Sequence, residues 1–296
     1  MESVRLPRFK RSLDIPPFRL TDRDLDVLRH VQRHRFLRSS HLVQLIGGSR
    51  QQLLRRLQYL FHHGYLERPR AQLEYFHRGG SQSIVYGLAD KGAGLLAKRH
   101  SPAGNIGRLF LEHGLLVSDA MVAIQVACQN RSDLRLVEPD DFPMPARVHR
   151  TAEPFRWSVK LEGLGKLGVV PDRVFVLDSG DRGNPFERVL YFLEADCGTM
   201  PVFRRALTQS SFYRKLLAYE ATWSQEIHRR RFGFRRFRVL TVTNSAERMN
   251  HLIEACGKLQ RGRGLFLFTD RQSFTSHQDC LSLPCQSGRG GAETLI

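Results

Sequence analysis

The sequence has 296 residues, of which 41% are hydrophobic, so it is long enough to bury one large core or two modest ones. Its formal net charge of +17 predicts a polyanionic partner, because basic side chains that neutralise phosphates release the counterions condensed on a nucleic acid. The five cysteines are scattered without a disulfide framework, the first residues do not resemble a secretory leader, and no run of about 18 apolar residues occurs. These features predict a cytoplasmic protein without a membrane segment.

The chain begins with an arm and a well-marked helix. Residues 1–20 combine three prolines with basic side chains, which predicts a flexible basic arm. Thr21 and Asp24 then have the pattern of a capping box, in which each side chain accepts a hydrogen bond from the backbone of the other residue. Apolar residues at helical spacing follow, so we predict a first helix over 22–34.

Two further helices are predicted after the first. Ser39 or Ser40 caps the second helix, which ends at the turn Gly47-Gly48. Ser49 caps the third helix, over about 50–63, where apolar residues again recur at helical spacing.

The segment after the third helix predicts a β-hairpin. We expect a first strand over 65–76, a turn at 78–81, a returning strand over 84–88 and a short helix over 91–99. Three helices followed by a hairpin are typical of a winged helix-turn-helix domain, and we place this domain at 21–100.

The rest of the chain alternates predicted helices and strands. A linker at 101–107 leads into a long helix over 108–129, and residues 105–270 form the second domain. Strands that alternate with helices predict a mixed sheet with helical cover, so the fold class is α+β or α/β. The tail at 271–296 lacks periodicity, which predicts a flexible segment. The remaining predicted elements are strands at 134–137, 157–162, 173–177, 189–194, 238–243 and 265–268, and helices at 203–230 and 246–256.

The third helix has a polar face of arginine and glutamine. These side chains can reach guanine and adenine edges in the major groove, which predicts contact with double-stranded DNA. A solvated surface, or a docking face for another protein, is the alternative interpretation. The predicted DNA-contacting residues are Arg50, Gln51, Gln52, Arg55 and Arg56 on this helix, Arg68, Arg70 and Arg78 in the wing, and the basic cluster Arg229, Arg230 and Arg231.

Carboxylates stand at the ends of two predicted neighbouring strands. Asp172 opens one strand, and Glu194 and Asp196 end the next. Oxygen clusters of this kind suit Mg²⁺ or Mn²⁺, and a bound metal can activate water and neutralise charge on a phosphate. The alternative is that these are ordinary strand-end residues near solvent.

Several segments, taken in their order along the chain, resemble known families. The strands and helices around Asp172 and Glu194 resemble the PD-(D/E)xK nuclease superfamily. Most of the chain resembles the replication-relaxation family of plasmid and integrative-element proteins. The segments that carry this second resemblance are Tyr86–Gly92, Leu111–Asp119, Pro171-Asp172, Phe192–Thr199 and the helix with Lys215 and Tyr219. The resemblance implies a DNA-associated role in replication, relaxation or transfer of a mobile element, and a nuclease-like second domain.

The sequence departs from the nuclease pattern at its lysine. That pattern has a lysine two residues after the glutamate, where this chain has Asp196. Lys215, on the following helix, is the candidate replacement, and Glu112 or His113 is the candidate for completing the site. An active endonuclease would then use Asp172, Glu194, Asp196 and Lys215 as catalytic residues, and Asp172, Glu194 and Glu112 as metal ligands.

Three functions are consistent with these observations. The first is a DNA-binding protein of plasmid or mobile-element replication, relaxation or transfer, whose nuclease-like domain is an inactive scaffold without a cofactor. The second is a metal-dependent DNA endonuclease that uses Mg²⁺ or Mn²⁺. The third is a protein-interaction adaptor or transcription regulator. The expected partners are double-stranded DNA and other proteins of a replication, transfer or transposition complex.

Overall fold

The computed structural model describes residues 7–12, 14–76, 83–97, 106–142, 144–145, 148, 151, 153–179 and 188–296. The chain divides into two compact units, Met1–Val122 and Ala123–Ile296, and the boundary falls inside a long helix. The predicted turn at 78–81, with Arg78, and most of the predicted linker at 101–107 lie outside the described residues.

The first unit contains the three predicted helices, α1 (Asp22–His34), α2 (Ser39–Ile46) and α3 (Arg50–His62). Thr21 and Asp24 form the predicted capping box, with the backbone N–H of Thr21 donating to Asp24 Oδ2 at 2.8 Å. Ser49 caps α3 by accepting a hydrogen bond from the backbone of Gln52. Most of the apolar positions that set the helical spacing are buried, among them Val27, Leu42 and Leu57, whereas Leu54 of α3 is exposed.

The first unit also contains a three-stranded antiparallel sheet. Its strands are β1 (Phe36–Arg38), β2 (Leu66–Glu67) and β3 (Val85–Leu88), in the order β1-β3-β2. The short helix α5 (Asp90–Leu95) follows.

The predicted long strand at 65–76 is wrong. After β2 the chain forms a 3₁₀ turn, Arg70–Gln72, and the helix α4 (Leu73–Phe76). The reason is the side-chain amide of Gln72, which donates to the carbonyl of Val85 at 3.0 Å and accepts from the N–H of Val85 at 2.8 Å. That amide occupies the hydrogen-bonding groups of β3 that a continuing strand would need.

Helix α6 (Arg108–Gln129) agrees with the predicted long helix. Gly114 lets it approach β1 closely, since a Cβ at this position would lie 2.8 Å from a ring carbon of Phe36. Leu111 and Leu115 bury their side chains with Phe36 and Val85. By length and composition alone α6 could span a membrane, but more than half of its most apolar window is buried inside the protein. The apolar composition of α6 is therefore that of a core helix.

The second unit is built on a seven-stranded mixed sheet in the order β12-β11-β10-β9-β8-β7-β4. The three central strands, β8, β9 and β10, are parallel, and the outer pairs are antiparallel. A separate hairpin is formed by β5 and β6. The strand bounds are β4 (Arg135–Val137), β5 (Trp157–Leu161), β6 (Gly165–Val169), β7 (Arg173–Asp178), β8 (Arg188–Asp196), β9 (Phe237–Thr243), β10 (Phe266–Asp270), β11 (Cys285–Ser287) and β12 (Ala292–Glu293).

In the part of the chain that the structure describes, the second unit also contains the helices α7 (Phe212–Ser224), α8 (Ile227–Phe232), α9 (Ala246–Gly257) and α10 (Arg271–Ser276). The core contains an aromatic cluster in which Phe192 of β8 packs against Trp157, Tyr219 and Phe232. The mixed sheet with helical cover confirms the predicted α+β or α/β class. The helix predicted over 203–230 is shorter in the structure, since it begins after its cap, Ser211. It is interrupted at position 226, where the backbone φ is +53°.

The described parts of the arm and of the tail contain contacts and strands that the sequence does not predict. The tail forms strands β11 and β12, with β12 at the edge of the sheet, and the hydroxyl of Tyr191 donates to the carbonyl of Leu295 at 2.7 Å. In the arm, Arg11 donates to the carbonyl of Phe61 at 3.0 Å, and the ring of Phe18 stacks on His63. These attachments use isolated side chains, which leave no periodic pattern in the sequence.

Candidate nucleic-acid interface and carboxylate cluster

Helix α3 presents the predicted polar face to solvent. Arg50, Gln51, Gln52 and Arg55 are all exposed, while the leucines at 53 and 57 pack inward. In the described part of the chain Arg50 has no acidic partner. The guanidinium of Arg55 donates to the hydroxyl of Tyr59 at 3.2 and 3.3 Å, one helical turn away. This face therefore keeps most of its hydrogen-bond donors available for a ligand.

Arg56, on the same helix, has a different role. Its Nε donates to Asp24 Oδ1 at 2.9 Å, and its guanidinium lies 4.1 Å from the ring centre of Phe18. Asp24 is buried, and although burial opposes ionisation, the hydrogen bonds from Arg56 and Thr21 hold the pKa of Asp24 below its ordinary value. Arg56 therefore ties α3 to the start of α1, and its charge is neutralised inside the fold.

Arg68 also lies inside the fold, although the sequence places it on the wing surface. The residue is only 6% exposed, and its guanidinium packs 4.1 Å from the ring centre of Phe61 and donates to the Tyr86 hydroxyl at 3.1 Å. Burial lowers the pKa of Arg68. Arg70 is exposed at the start of the 3₁₀ turn, and in the described residues it has no acidic partner. Of the described arginines that the sequence predicts for the wing, Arg70 is thus the one whose side chain is exposed.

The basic cluster in the second unit is split by its contacts. Arg231 donates to the carbonyls of Pro154 and Arg156, at 3.1 Å each, and so anchors α8. Arg229 and Arg230 are exposed, and Arg229 pairs with Glu226 at 2.9 Å. Arg231 therefore stabilises the local fold, while Arg229 and Arg230 lie on the surface.

The fold brings the candidate carboxylates together at the carboxyl end of β8. The backbone N–H of Asp172 donates to the carbonyl of Leu193 at 3.1 Å, which places Asp172 beside Glu194. The Asp172 carboxylate in turn accepts from the backbone N–H of Ala195 at 2.8 Å. The predicted meeting of two strand-end carboxylates is therefore present.

Glu194 is held by two residues of helix α7. It is 2% exposed, and it accepts from Lys215 Nζ at 2.6 Å and from the hydroxyl of Tyr219. Burial, with the nearby charge of Asp172, raises the pKa of Glu194 in spite of Lys215. Burial lowers the pKa of Lys215, whereas the negative charges of Glu194 and Asp172 raise it. The two charges outweigh burial, so the pKa of Lys215 lies above its ordinary value. Burial and the charge of Glu194 raise the pKa of Tyr219 well above its ordinary value, so its hydroxyl remains a donor.

Asp196, at the position of the missing lysine, is bound by an arginine of helix α9. Arg248 Nε donates to one carboxylate oxygen at 2.6 Å and Nη2 to the other at 3.1 Å. The hydroxyl of Thr243 lies 3.3 Å from the same carboxylate. This bidentate ion pair fixes the positions of both carboxylate oxygens of Asp196.

The donor set does not fit a divalent metal centre. Both oxygens of Glu194 and both oxygens of Asp196 already accept from protein donors. Glu112 belongs to the first unit, where it pairs with Arg108 at 2.9 Å. Among the described residues, no three His, Cys, Asp or Glu side chains form a group able to hold a metal ion. A metal would have to displace Lys215 and Arg248 from the carboxylates.

Comparison with known protein families identifies the family of the chain. The family model described as Replication-relaxation matches residues 28–236, which include α3 and the carboxylate cluster. The chain belongs to the replication-relaxation family. Membership in this family points to a role in the replication or relaxation of plasmid or mobile-element DNA. No curated protein and no solved structure matches the chain.

One segment that carries the replication-relaxation resemblance, Leu111–Asp119, has a structural role. The hydroxyl of Ser118 lies 2.7 Å from the carbonyl of Phe36 and 2.9 Å from that of Gly114. Asp119 is buried, where it pairs with Arg38 and lies 2.9 Å from His41 Nε2. The segment thus fastens α6 to the sheet and to α2 of the first unit.

Sequence reasoning missed the partner of Asp196. Tyr219 could be anticipated, because it stands four residues after Lys215 and thus on the same face of a helix. Arg248 could not, since it comes from a separate helix more than 50 residues after Asp196, and no spacing rule connects the two.

Proposed function

We propose that this protein binds double-stranded DNA in the replication, relaxation or transfer of a plasmid or mobile element, and that its nuclease-like unit does not cut. The first unit acts as a winged helix, and α3 enters the major groove with its N-terminal half. The second unit serves as a nuclease-like scaffold that takes no metal cofactor.

The exposed face of α3 is the observation that carries the DNA-binding role. Helix-turn-helix proteins place the N-terminal residues of the recognition helix against base edges. Arg50, Gln51 and Gln52 occupy the first turn of α3, and all three are exposed. Arginine and glutamine pair with guanine and adenine respectively. The element order of the first unit, with β1 between α1 and α2 and the short strands β2 and β3 after α3, supports the winged-helix assignment.

The pairing of the carboxylates supports the non-catalytic role. Metal-dependent nucleases need carboxylate oxygens that face a shared ion. In this protein a lysine, a tyrosine and an arginine donate to the oxygens of Glu194 and Asp196. Because Lys215 and Arg248 already pair with Glu194 and Asp196, these two carboxylates act as polar anchors between β8 and helices α7 and α9.

A titration of labelled duplex tests the role of α3. Arg55→Ala and Arg50→Ala, combined, should weaken binding by about 1–3 kcal/mol for each arginine that reads a base. Arg29→Ala is a control for the loss of one exposed arginine outside α3, since Arg29 lies on α1 and pairs with Asp26 at 2.7 Å. Equal affinity of the wild type, the double variant and the control for duplex, across several salt concentrations, would contradict the α3 assignment.

A further inference from the structure

A cleft of about 290 Å³ opens beside Lys215, between strand β6 and the first turn of helix α7. Two cationic side chains, Arg214 and Lys215, line it together with Ser210 and Ser211, and none of its described lining residues is acidic. The Lys215 side chain remains 35% exposed while its ammonium bonds Glu194. Lys215 is paired with Glu194, but in the described part of the chain Arg214 has no acidic partner, so Arg214 and the two serines give the lining the chemistry of a site for an anion.

The hairpin next to this cleft pairs two like charges. Lys160 of β5 lies directly opposite Lys166 of β6, and both are exposed. Like charges directly opposite each other destabilise a strand pair. Neither lysine has an acidic partner in the described part of the chain. Lys166 directly precedes Leu167 and Gly168 in β6, and both of these residues line the cleft.

The loop at 203–210 approaches the cleft from the side of α7. Every residue of this loop is exposed, and its end, at Ser210, lines the cleft. It carries Arg204 and Arg205, and within the described ranges neither arginine has an acidic partner. The cleft is thus flanked by unneutralised cations on the hairpin and on the loop.

We propose that this cationic cleft, formed by Arg214, Lys215 and the two serines and flanked by Lys160, Lys166, Arg204 and Arg205, holds the phosphate backbone of DNA as a second contact. A polyanion there relieves the repulsion between the paired lysines and meets donors on both sides of the cleft. The inference rests on the proposed function, because it gives the same DNA a contact on the second unit in addition to α3.

The salt dependence of binding measures this contact. In the full chain, Lys160→Ala with Lys166→Ala removes two candidate phosphate contacts, each of which contributes about 0.9 to the slope of log affinity against log salt. We expect the slope to fall by about 1.8, and the affinity for a labelled duplex to fall roughly tenfold or more at about 0.1 M salt. The unfolding temperature should stay the same or rise, since a like-charge pair is removed.

The matched control is Arg135→Ala with Arg289→Ala. Both side chains are exposed, and each acidic partner keeps a second cation, Asp178 with Arg188 and Glu293 with Arg238. The control removes the same charge and should leave the salt slope near that of the wild type. A slope for the lysine variant equal to that of the control would overturn the inference.

A second background separates this inference from the proposed function. The lysine pair is also removed from the protein that carries Arg50→Ala and Arg55→Ala. If the α3 assignment fails, the arginine substitutions leave affinity unchanged, yet the lysine pair still lowers the salt slope. If the cleft fails, the arginine substitutions weaken binding and the lysine pair has no effect in either background.

Discussion

Replacing Arg248 with methionine should destabilise the second unit strongly. The side chains of Asp196 and Arg248 are 5% and 17% exposed, so the pair is almost entirely out of water. Methionine keeps much of the arginine volume but donates no hydrogen bond. The Asp196 carboxylate would then retain the Thr243 hydroxyl, at 3.3 Å, without either guanidinium bond.

The expected destabilisation follows from the burial of this pair. Breaking a buried ion pair by removing one partner costs about 3–5 kcal/mol, because the remaining charge is uncompensated. For a domain of this size each kcal/mol lowers the unfolding temperature by about 2–4 °C, so the expected fall is roughly 6–20 °C. Asp196→Asn combined with Arg248→Met should recover most of this stability, because no buried charge is left.

Thermal unfolding of wild type, both single variants and the double variant, followed by calorimetry, completes a double-mutant cycle. A destabilisation below about 1 kcal/mol for Arg248→Met would place the pair among weak surface ion pairs. A double variant as unstable as Arg248→Met alone would show that the charge of Asp196 is not the cause. Either result would refute the assignment of the carboxylate cluster as an internally neutralised anchor.

Three further predictions concern single positions. In Lys215→Met the Glu194 carboxylate loses its cation, so the pKa of Glu194 rises further above its ordinary value. A carboxyl whose pKa is raised by folding contributes stability that is lost as the pH rises. Melts across pH should therefore show a deficit against wild type that grows as the pH rises through the raised pKa of Glu194. Gly114→Ala should cost about 1–3 kcal/mol in chemical unfolding through overpacking, whereas Gly107→Ala, with open space around its Cβ, should be nearly neutral. Arg56→Ala should lower the unfolding temperature of the first unit as well as its DNA affinity, because the guanidinium of Arg56 pairs with a buried carboxylate. An unchanged unfolding temperature would contradict this pairing.

The sequence predicts those elements whose information is local and periodic. Capping residues and apolar spacing place α1 and α3 to within a residue or two, and the long helix α6 has the predicted bounds. Strand β6 is absent from the sequence-based prediction because its glycine-rich sequence has a turn-like composition. Its alternating buried residues, Leu167 and Val169, are the signal that could have revealed it.

The site is predictable in its residue types and less so in its contacts. The sequence pairs Asp172 with Glu194 through their positions at strand ends, and it identifies Lys215 as a substitute ammonium. It could not distinguish Arg55, which is exposed, from Arg56, which is committed to Asp24, because the two are adjacent on one helix. Burial of an arginine depends on residues distant in sequence, and no spacing rule carries that information.

A single gel of supercoiled plasmid tests the central claim, that this protein holds DNA without cutting it. The full chain is incubated with plasmid in Mg²⁺ or Mn²⁺, and each sample is run with and without removal of the protein. We predict a retarded plasmid band that returns to the supercoiled position, without nicked circles, once the protein is removed. Nicked circles that disappear with Asp172→Ala, or the absence of any retardation at low salt, would contradict the claim.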